Sequence, residues 1–506
     1  MKTITSWLDQ HPVIAYIIAL LSGAVVPLAF APVAQHWLIW PMMILFLMLQ
    51  HTTTKQACLR AFGFGLGMFG VGVSWIYNSL HVYAEAPVWL GVLMTGITVV
   101  CLSAYLMLAA FCVGRWAPVS KTAEWQRYLL VWPAVWVSIE LFRSWFLTGF
   151  PTLLLGYSQV NSWLGEYLPL LGVYGTGFMV MVVAGALSLV LAARTKQAIV
   201  IALGIVILVE VVALTSRQID WTTPAGDPVS FAVIQGDIPQ SLKFSADQVR
   251  NSLRKYKSLT EDHLNQQVII WPETAITTGI DTAGIYLQGM RRLLMQHDQR
   301  TGQSTELLTG IFSESDDGRY YNSVYALSSQ AVYRKQKLVP FGEYIPFRRL
   351  LSVFGGFLTI PMSDLKAGAA DQPLLSMAGY PTATGICFES AFAYVYRQQL
   401  PAANWLLNVS NDAWFGDSFA PHQHLEMNQV RARELGRYLI RATNNGLTAV
   451  IDHRGQIVDQ VPAFQTAVLI TQAQPRQGAT PYAVTGNWPI IIIALLCLII
   501  SRRRTA

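Results

Sequence analysis

Apolar residues gather into eight runs separated by short polar stretches, at residues 13–32, 36–50, 57–77, 88–113, 128–148, 168–192, 198–214 and 489–501. A helix needs ~20 residues to cross ~30 Å of hydrocarbon, so the pattern predicts eight transmembrane helices. The short second and eighth runs need their flanking Trp, Pro and His residues to complete a span. Lys2 precedes the first run and Ala29-Phe30-Ala31 closes it, which imitates a secretory cleavage site. Pro32 stands where the scissile bond would lie and further runs follow, so an uncleaved anchor is expected.

Between the seventh and eighth runs the pattern changes. Short β-branched segments at 230–234, 268–271, 382–387 and 405–409 read as buried strands. Amphipathic stretches at 247–264, 286–296 and 423–435 read as helices. Such alternation predicts an α/β domain whose sheets are covered by helices. The 271 residues from 216 to 486 suffice for one domain with a sizeable core. The expected division is a membrane domain with seven transmembrane helices at 1–215, the α/β domain at 216–486, and an eighth helix with a basic tail at 487–506.

Composition agrees with this division. Residues of the AVILMFWYC set make up 53% of the chain, charged residues only 13%, and the mean hydropathy is +0.38. Soluble domains carry about 25% charged residues, which excludes an ordinary soluble, disordered or coiled-coil chain. The net charge of +6 could suggest a nucleic-acid partner, but its distribution excludes one. Residues 216–486 hold 23 Lys+Arg and 23 Asp+Glu, so the excess lies entirely in the apolar parts. There it sets topology. Alternate loops hold Lys2, then Lys55 and Arg60, then Arg115, Lys121 and Arg127, then Arg194 and Lys196, then Arg502, Arg503 and Arg504, whereas the intervening short loops hold only Arg143. Both termini are therefore expected in the cytoplasm and the α/β domain on the opposite side, the periplasm of a bacterium.

Cys58, Cys101, Cys112 and Cys497 lie in or beside the apolar runs, whereas Cys387 is alone in the α/β domain. It has no disulfide partner there and no ligand cluster for a metal. An unpaired thiol in an oxidising compartment is a liability unless it is buried or used as a nucleophile. Cys387 ends the strand-like Thr382-Ala383-Thr384-Gly385-Ile386, and Gly385 is expected to permit the tight path that exposes a nucleophile at a strand end. Glu273 follows Val268-Ile269-Ile270-Trp271-Pro272, and Lys335 precedes Leu338-Val339-Pro340-Phe341-Gly342-Glu343-Tyr344. Taken singly, Glu273 and Lys335 read as solvated surface charges and Glu343 as a turn-stabilising acid.

Taken in that order, the three blocks resemble the Glu-Lys-Cys triad of the nitrilase (carbon–nitrogen hydrolase) superfamily. With the apolar runs, the whole chain resembles that superfamily's membrane-bound branch, the bacterial apolipoprotein N-acyltransferases. The likeness extends to Gln235-Gly236-Asp237-Ile238-Pro239-Gln240, to Asn408-Val409-Ser410-Asn411-Asp412-Ala413-Trp414-Phe415-Gly416-Asp417 and to Arg441-Ala442-Thr443-Asn444-Asn445-Gly446. It implies a polytopic α-helical membrane protein of about eight transmembrane helices with an extracytoplasmic nitrilase-like αββα sandwich, in the bacterial inner membrane.

The resemblance implies Cys387 as nucleophile, Glu273 as general base and Lys335 as the cation facing the oxyanion, aided by the backbone N–H of Phe388. Glu343 is expected to neutralise or orient Lys335, and Glu389 to brace the loop carrying Cys387. Phe244, Asn411, Trp414 and Phe415 are expected at the substrate, although Trp414, Phe415 and Trp75 equally suit packing. The implied reaction moves the sn-1 acyl chain of a phospholipid, typically phosphatidylethanolamine, through a Cys thioester to the α-amino group of an S-diacylglyceryl-cysteine apolipoprotein. Neither cofactor nor metal is implied, the expected partners are the two substrates and the bilayer, and a monomer is expected.

Three positions depart from the family pattern: Phe244 where Trp is usual, Phe388 where Tyr is usual, and Thr152 where Trp is usual. His422-Gln423-His424 has metal-like spacing but no third ligand. Asn408-Val409-Ser410 matches a glycosylation sequon that a bacterial setting makes idle. Glu140 and Arg143 share a helical face, suiting either an ion pair or a lipid-headgroup contact. The segment 347–362, with Arg348, Arg349, Phe354 and Phe357, reads either as a core helix or as an apolar arm that dips into lipid. Three rival functions use the same features: a tethered nitrilase-type amidase with water as acceptor, a transporter, and a non-catalytic assembly factor. Eight spans argue against a mere tether, the few ionisable groups in them against a transporter, and the intact triad against the third.

Overall fold

The computed structural model describes residues 7–193, 195–345 and 364–502. The segment 346–363 lies outside them, and with it Arg348, Arg349, Phe354, Phe357 and the expected arm. The chain divides into two compact units, one of Met1–Asp220, Ser418–Glu426 and Thr480–Ala506, the other of Trp221–Asp417 and Met427–Ala479.

In the first unit every one of the eight apolar runs is helical. Among the described residues four helices are long and apolar enough to cross a membrane, Pro12–Ala29, Val88–Trp116, Trp163–Ala192 and Lys196–Arg217. A fifth candidate is the pair Thr54–Gly72 and Ile76–Tyr83, bent by 55°. The runs read as continuous at 57–77 and 168–192 are thus broken, the first at residues 73–75 and the second at Gly172, where φ is +69°. Apolar periodicity does not mark either break, because a single serine, Ser74, stands at the first and a lone glycine, Gly172, at the second.

The side-chain amide of Gln423 closes the first break, donating to the Gly72 carbonyl at 3.0 Å and accepting from the Trp75 indole at 3.3 Å. Glu426 accepts from the Ala31 N–H at 3.1 Å. These bonds explain why 418–426 belong with the first unit, although the expected boundary placed the whole of 216–486 together. Arg143 donates to the carbonyls of Thr152 and Phe150, and Glu140 accepts from the Leu155 N–H. Both are buried, as is Thr152. Arg143 and Glu140 therefore pin the 150–155 backbone rather than meet headgroups.

The second unit holds fourteen described strands, numbered in chain order: β1 (Thr222–Pro224), β2 (Val229–Gln235), β3 (Val268–Ile270), β4 (Glu306–Glu314), β5 (Tyr320–Ala326), β6 (Val332–Arg334), β7 (Leu375–Met377), β8 (Tyr380–Ile386), β9 (Trp405–Ser410), β10 (Leu439–Thr443), β11 (Ala449–Ile451), β12 (Ile457–Gln460), β13 (Ala467–Ala473) and β14 (Arg476–Gly478). Two six-stranded sheets run β13-β2-β3-β4-β5-β6 and β12-β11-β10-β9-β8-β7, and β1 pairs with β14 apart from them. Each sheet has three parallel central strands, β2-β3-β4 in one and β8-β9-β10 in the other, flanked by antiparallel ones.

The strand period of two sorts the side chains into layers. Phe231, Val233, Val268 and Ile270 face a shared core with Ile386, Trp405, Leu407 and Val409 of the other sheet. Ala232, Ile234, Ile269 and Trp271 point the opposite way, onto the helices Ala246–Glu261 and Gly284–Thr301 through Tyr256, Leu287, Met290 and Leu294. Burial on both faces is why these parallel strands read as unbroken apolar runs.

Candidate active site

Open α/β sheets place their chemistry beyond the carboxyl ends of parallel strands. Here Glu273 follows β3, Cys387 follows β8 and Asn411 follows β9. Lys335 follows β6, which the two antiparallel pairings through β5 leave parallel to β4. Strand direction thus carries all four to the same end of their sheets.

Glu273 is held from several sides. Trp271 before it stacks on Tyr256 at 5.0 Å and donates to the Thr260 hydroxyl at 3.0 Å. The turn 272–274 lies so close to β4 that a Cβ on Gly310 would come within 2.4 Å of the Pro272 oxygen and 2.5 Å of the Thr274 nitrogen. Only glycine fits there. One carboxylate oxygen accepts from the Asn322 amide at 2.6 Å, and the other from the Asn411 backbone N–H at 2.8 Å.

Lys335 is 1% exposed. Its ammonium meets Glu343 at 2.8 Å and Glu273 at 3.7 Å. Burial alone would lower its pKa, but the charges of Glu343 and then Glu273 outweigh that and hold it above the ordinary lysine range. The ammonium is therefore a permanent cation. The Asn322 side chain ties both acids together, donating also to Glu343 at 3.0 Å, and the Asn322 backbone carbonyl accepts from the Lys335 backbone N–H at 2.8 Å.

Cys387 takes φ +52°, the left-handed region, at the start of the 3-10 turn Cys387–Ala391. The expectation that Gly385 supplies the unusual backbone is corrected: the strained residue is Cys387 itself. Gly385 serves a different need, since a Cβ there would lie 2.5 Å from the Tyr396 hydroxyl. Strain of this kind persists only where the surroundings impose it. Burial first, and the Glu273 charge second, push the Cys387 thiol up to about 12, against the pull of Lys335. The group therefore rests as a thiol.

Glu389 is fully buried and receives four donors: the Ile386 N–H at 2.7 Å, the Gln336 N–H at 2.7 Å, the Lys337 N–H at 2.9 Å and the Tyr333 hydroxyl at 3.1 Å. It joins the turn carrying Cys387 to the one carrying Lys335. Burial pushes its own pKa up to about 7, opposed by those backbone N–H groups and by Lys335.

The other expected residues are distributed differently. Phe388 packs edge-on against Phe392 at 5.1 Å. The Asn411 side chain is engaged by Gln240 and Asn444, at 2.7 and 3.0 Å, so its link to the site is its backbone N–H holding Glu273. Trp414 and Phe415 are half-buried on the short turn Asp412–Phe415, and Phe244 is exposed. Among the described residues no group of His, Cys, Asp or Glu could hold a metal, and His422 and His424 belong to none.

Sequence reasoning missed Asn322 and Lys243, and gave no role to Arg441. Arg441 is fully buried and bridges Asp412 and Asn408 at 2.6 Å each, while Asn408 donates to the Cys387 carbonyl at 3.3 Å. A polar residue amid apolar strand positions was the available signal for Asn322 and Arg441.

The family model for carbon–nitrogen hydrolases matches residues 231–482, the part of the chain that holds the two facing sheets and the buried Glu273, Lys335 and Cys387. The model for the apolipoprotein N-acyltransferase N-terminal domain matches residues 22–186. Proteins named apolipoprotein N-acyltransferase are similar along nearly the full length. That of Methylococcus capsulatus is 37% identical over 97% of this chain and 96% of its own. That of Pseudomonas aeruginosa is 39% identical over 97% and 96%, and that of Photobacterium profundum 34% over 97% and 95%. The chain belongs to the apolipoprotein N-acyltransferase family.

Proposed function

We propose that the protein transfers the sn-1 acyl chain of a phospholipid, phosphatidylethanolamine in the first instance, to the N-terminal amine of an S-diacylglyceryl-cysteine apolipoprotein in two covalent half-reactions. The observation that carries this reading is the buried convergence of Glu273, Lys335 and Cys387 in a chain that also has membrane-length apolar helices.

In the first half-reaction Glu273 takes the Cys387 proton as sulfur attacks the ester carbonyl, since burial and the Glu273 charge disfavour a free thiolate ahead of attack. The new oxyanion faces the Lys335 ammonium and the Phe388 N–H. Collapse breaks the ester C–O bond, Glu273 returns the proton to the departing oxygen, and a lysophospholipid leaves behind a thioester. In the second, the neutral α-amine attacks the thioester, Glu273 accepts its proton and passes it to the departing sulfur. The amide product leaves and the thiol is restored. Glu343 and Asn322 keep Lys335 and Glu273 apart but in line, and Glu389 keeps the two turns in register.

The family match to carbon–nitrogen hydrolases favours one alternative, a membrane-tethered amidase with water as acceptor. The test supplies the purified protein with phosphatidylethanolamine carrying a labelled sn-1 chain and a diacylglyceryl lipopeptide. Label should appear in the lipopeptide only when both are present, and Cys387→Ala should give none. Release of free fatty acid at the same rate without lipopeptide would decide for the hydrolase.

A further inference from the structure

Lys243 is an unusual use of a cation. It is 3% exposed, between the exposed Leu242 and Phe244. Its ammonium donates to the Thr274 hydroxyl at 2.6 Å and to the Glu273 backbone carbonyl at 3.2 Å, two neutral acceptors. Burial pulls its pKa down to about 8, against the opposing effect of Glu273. Thr274 meanwhile holds φ +47°, a conformation that a β-branched side chain adopts only where its surroundings impose it. On the other side the same turn is pressed against Gly310.

We infer that Lys243 is a positioning residue for Glu273, clamping the strained turn 272–274 so that the carboxylate meets Asn322, Asn411 and Lys335. The inference rests on Glu273 acting as the base in the reaction proposed above. Without the clamp, Thr274 is free to relax toward ordinary dihedrals, and the carboxylate, one residue away, swings with it. Lys243 itself is enclosed, so it acts through the turn and not on the lipid.

The test follows acyl loading of Cys387 by intact mass in single turnovers, over a range of phosphatidylethanolamine concentrations in detergent micelles. Lys243→Met should slow maximal loading at least ~10-fold, the scale of a hydrogen bond to a charged group, with half-saturation unchanged within ~2-fold. Thr274→Val removes the acceptor at nearly constant shape and should slow loading similarly, whereas Thr274→Ser restores the acceptor and should recover the rate. The double variant Lys243→Met/Thr274→Val should be no slower than the slower single one. Loading by a folded Lys243→Met chain at the unaltered rate would overturn the inference. So would Thr274→Ser as slow as Thr274→Val, a pair that decides the matter even if Lys243→Met does not fold. Turnover by Cys387→Ala would remove the underlying reading. A dead Cys387→Ala beside a fast Lys243→Met would remove only the clamp.

Discussion

At Cys387 burial and the Glu273 charge oppose ionisation, which is why the proposed reaction has Glu273 take the proton as sulfur attacks. Cys387→Ser should lower turnover on the order of a thousandfold or more, because a hydroxyl is far harder for a carboxylate to deprotonate. Glu273→Gln should be as inactive toward lipid, yet its thiol should be easier to ionise. Burial and the charges of Glu273 and Asp412 raise the Cys387 pKa and Lys335 lowers it, so removing the Glu273 charge takes away one upward push while the pull of the ammonium remains. Alkylation of Cys387 by iodoacetamide, read by peptide mass, should climb from pH 8 toward 11, and the climb should shift to lower pH in Glu273→Gln. A shift to higher pH would mean that the two charges do not act on the sulfur as described.

Glu389 shows how the elements are locked together. Its two oxygens accept from four donors, on β6, in the turn after β6 and at the end of β8, so Glu389→Gln places an N–H against backbone N–H groups and orphans at least one of them. The expected loss is about 1–3 kcal/mol for each buried donor left unpaired, a fall of several degrees in the melting temperature, with acyl loading reduced in parallel. A stable Glu389→Gln protein of full activity would contradict the tie. What could be read from the chain at this scale follows a physical rule. β2, β3, β8 and β9 are buried on both faces and announce themselves as apolar runs. β12 is exposed at all four positions and leaves no such trace. Asn322, Lys243 and the Asn411 N–H reach Glu273 across 49, 30 and 138 residues of chain, and no local spacing reports such meetings. Glu273, Lys335 and Cys387 stood out because each sits at a strand end within an ordered block, which resemblance could match.

On the scale of the molecule, the eight apolar runs and the division of charge point to a membrane protein from the sequence alone. Four membrane-length helices, or five with the bent pair, bear out that class. The bias of Lys and Arg leads to a further expectation: a reporter at the C-terminus should be active only in the cytoplasm, and a cysteine label placed at the exposed Ile285 accessible only from the periplasm. The reverse pattern would invert the orientation and cut the site off from outer-leaflet lipid. A thioester that must wait for a scarce amine also has to be kept from water, so lipid turnover without acceptor should be much slower than with it.

The most direct measurement is the intact mass of the protein taken from its own membrane. The account predicts a population heavier by one fatty acyl chain, mapped to Cys387, discharged by hydroxylamine and by diacylglyceryl lipopeptide, and missing from Cys387→Ala. A protein that turns over lipid and lipopeptide yet never carries an acyl chain on Cys387, even when the acceptor is withheld, would contradict it.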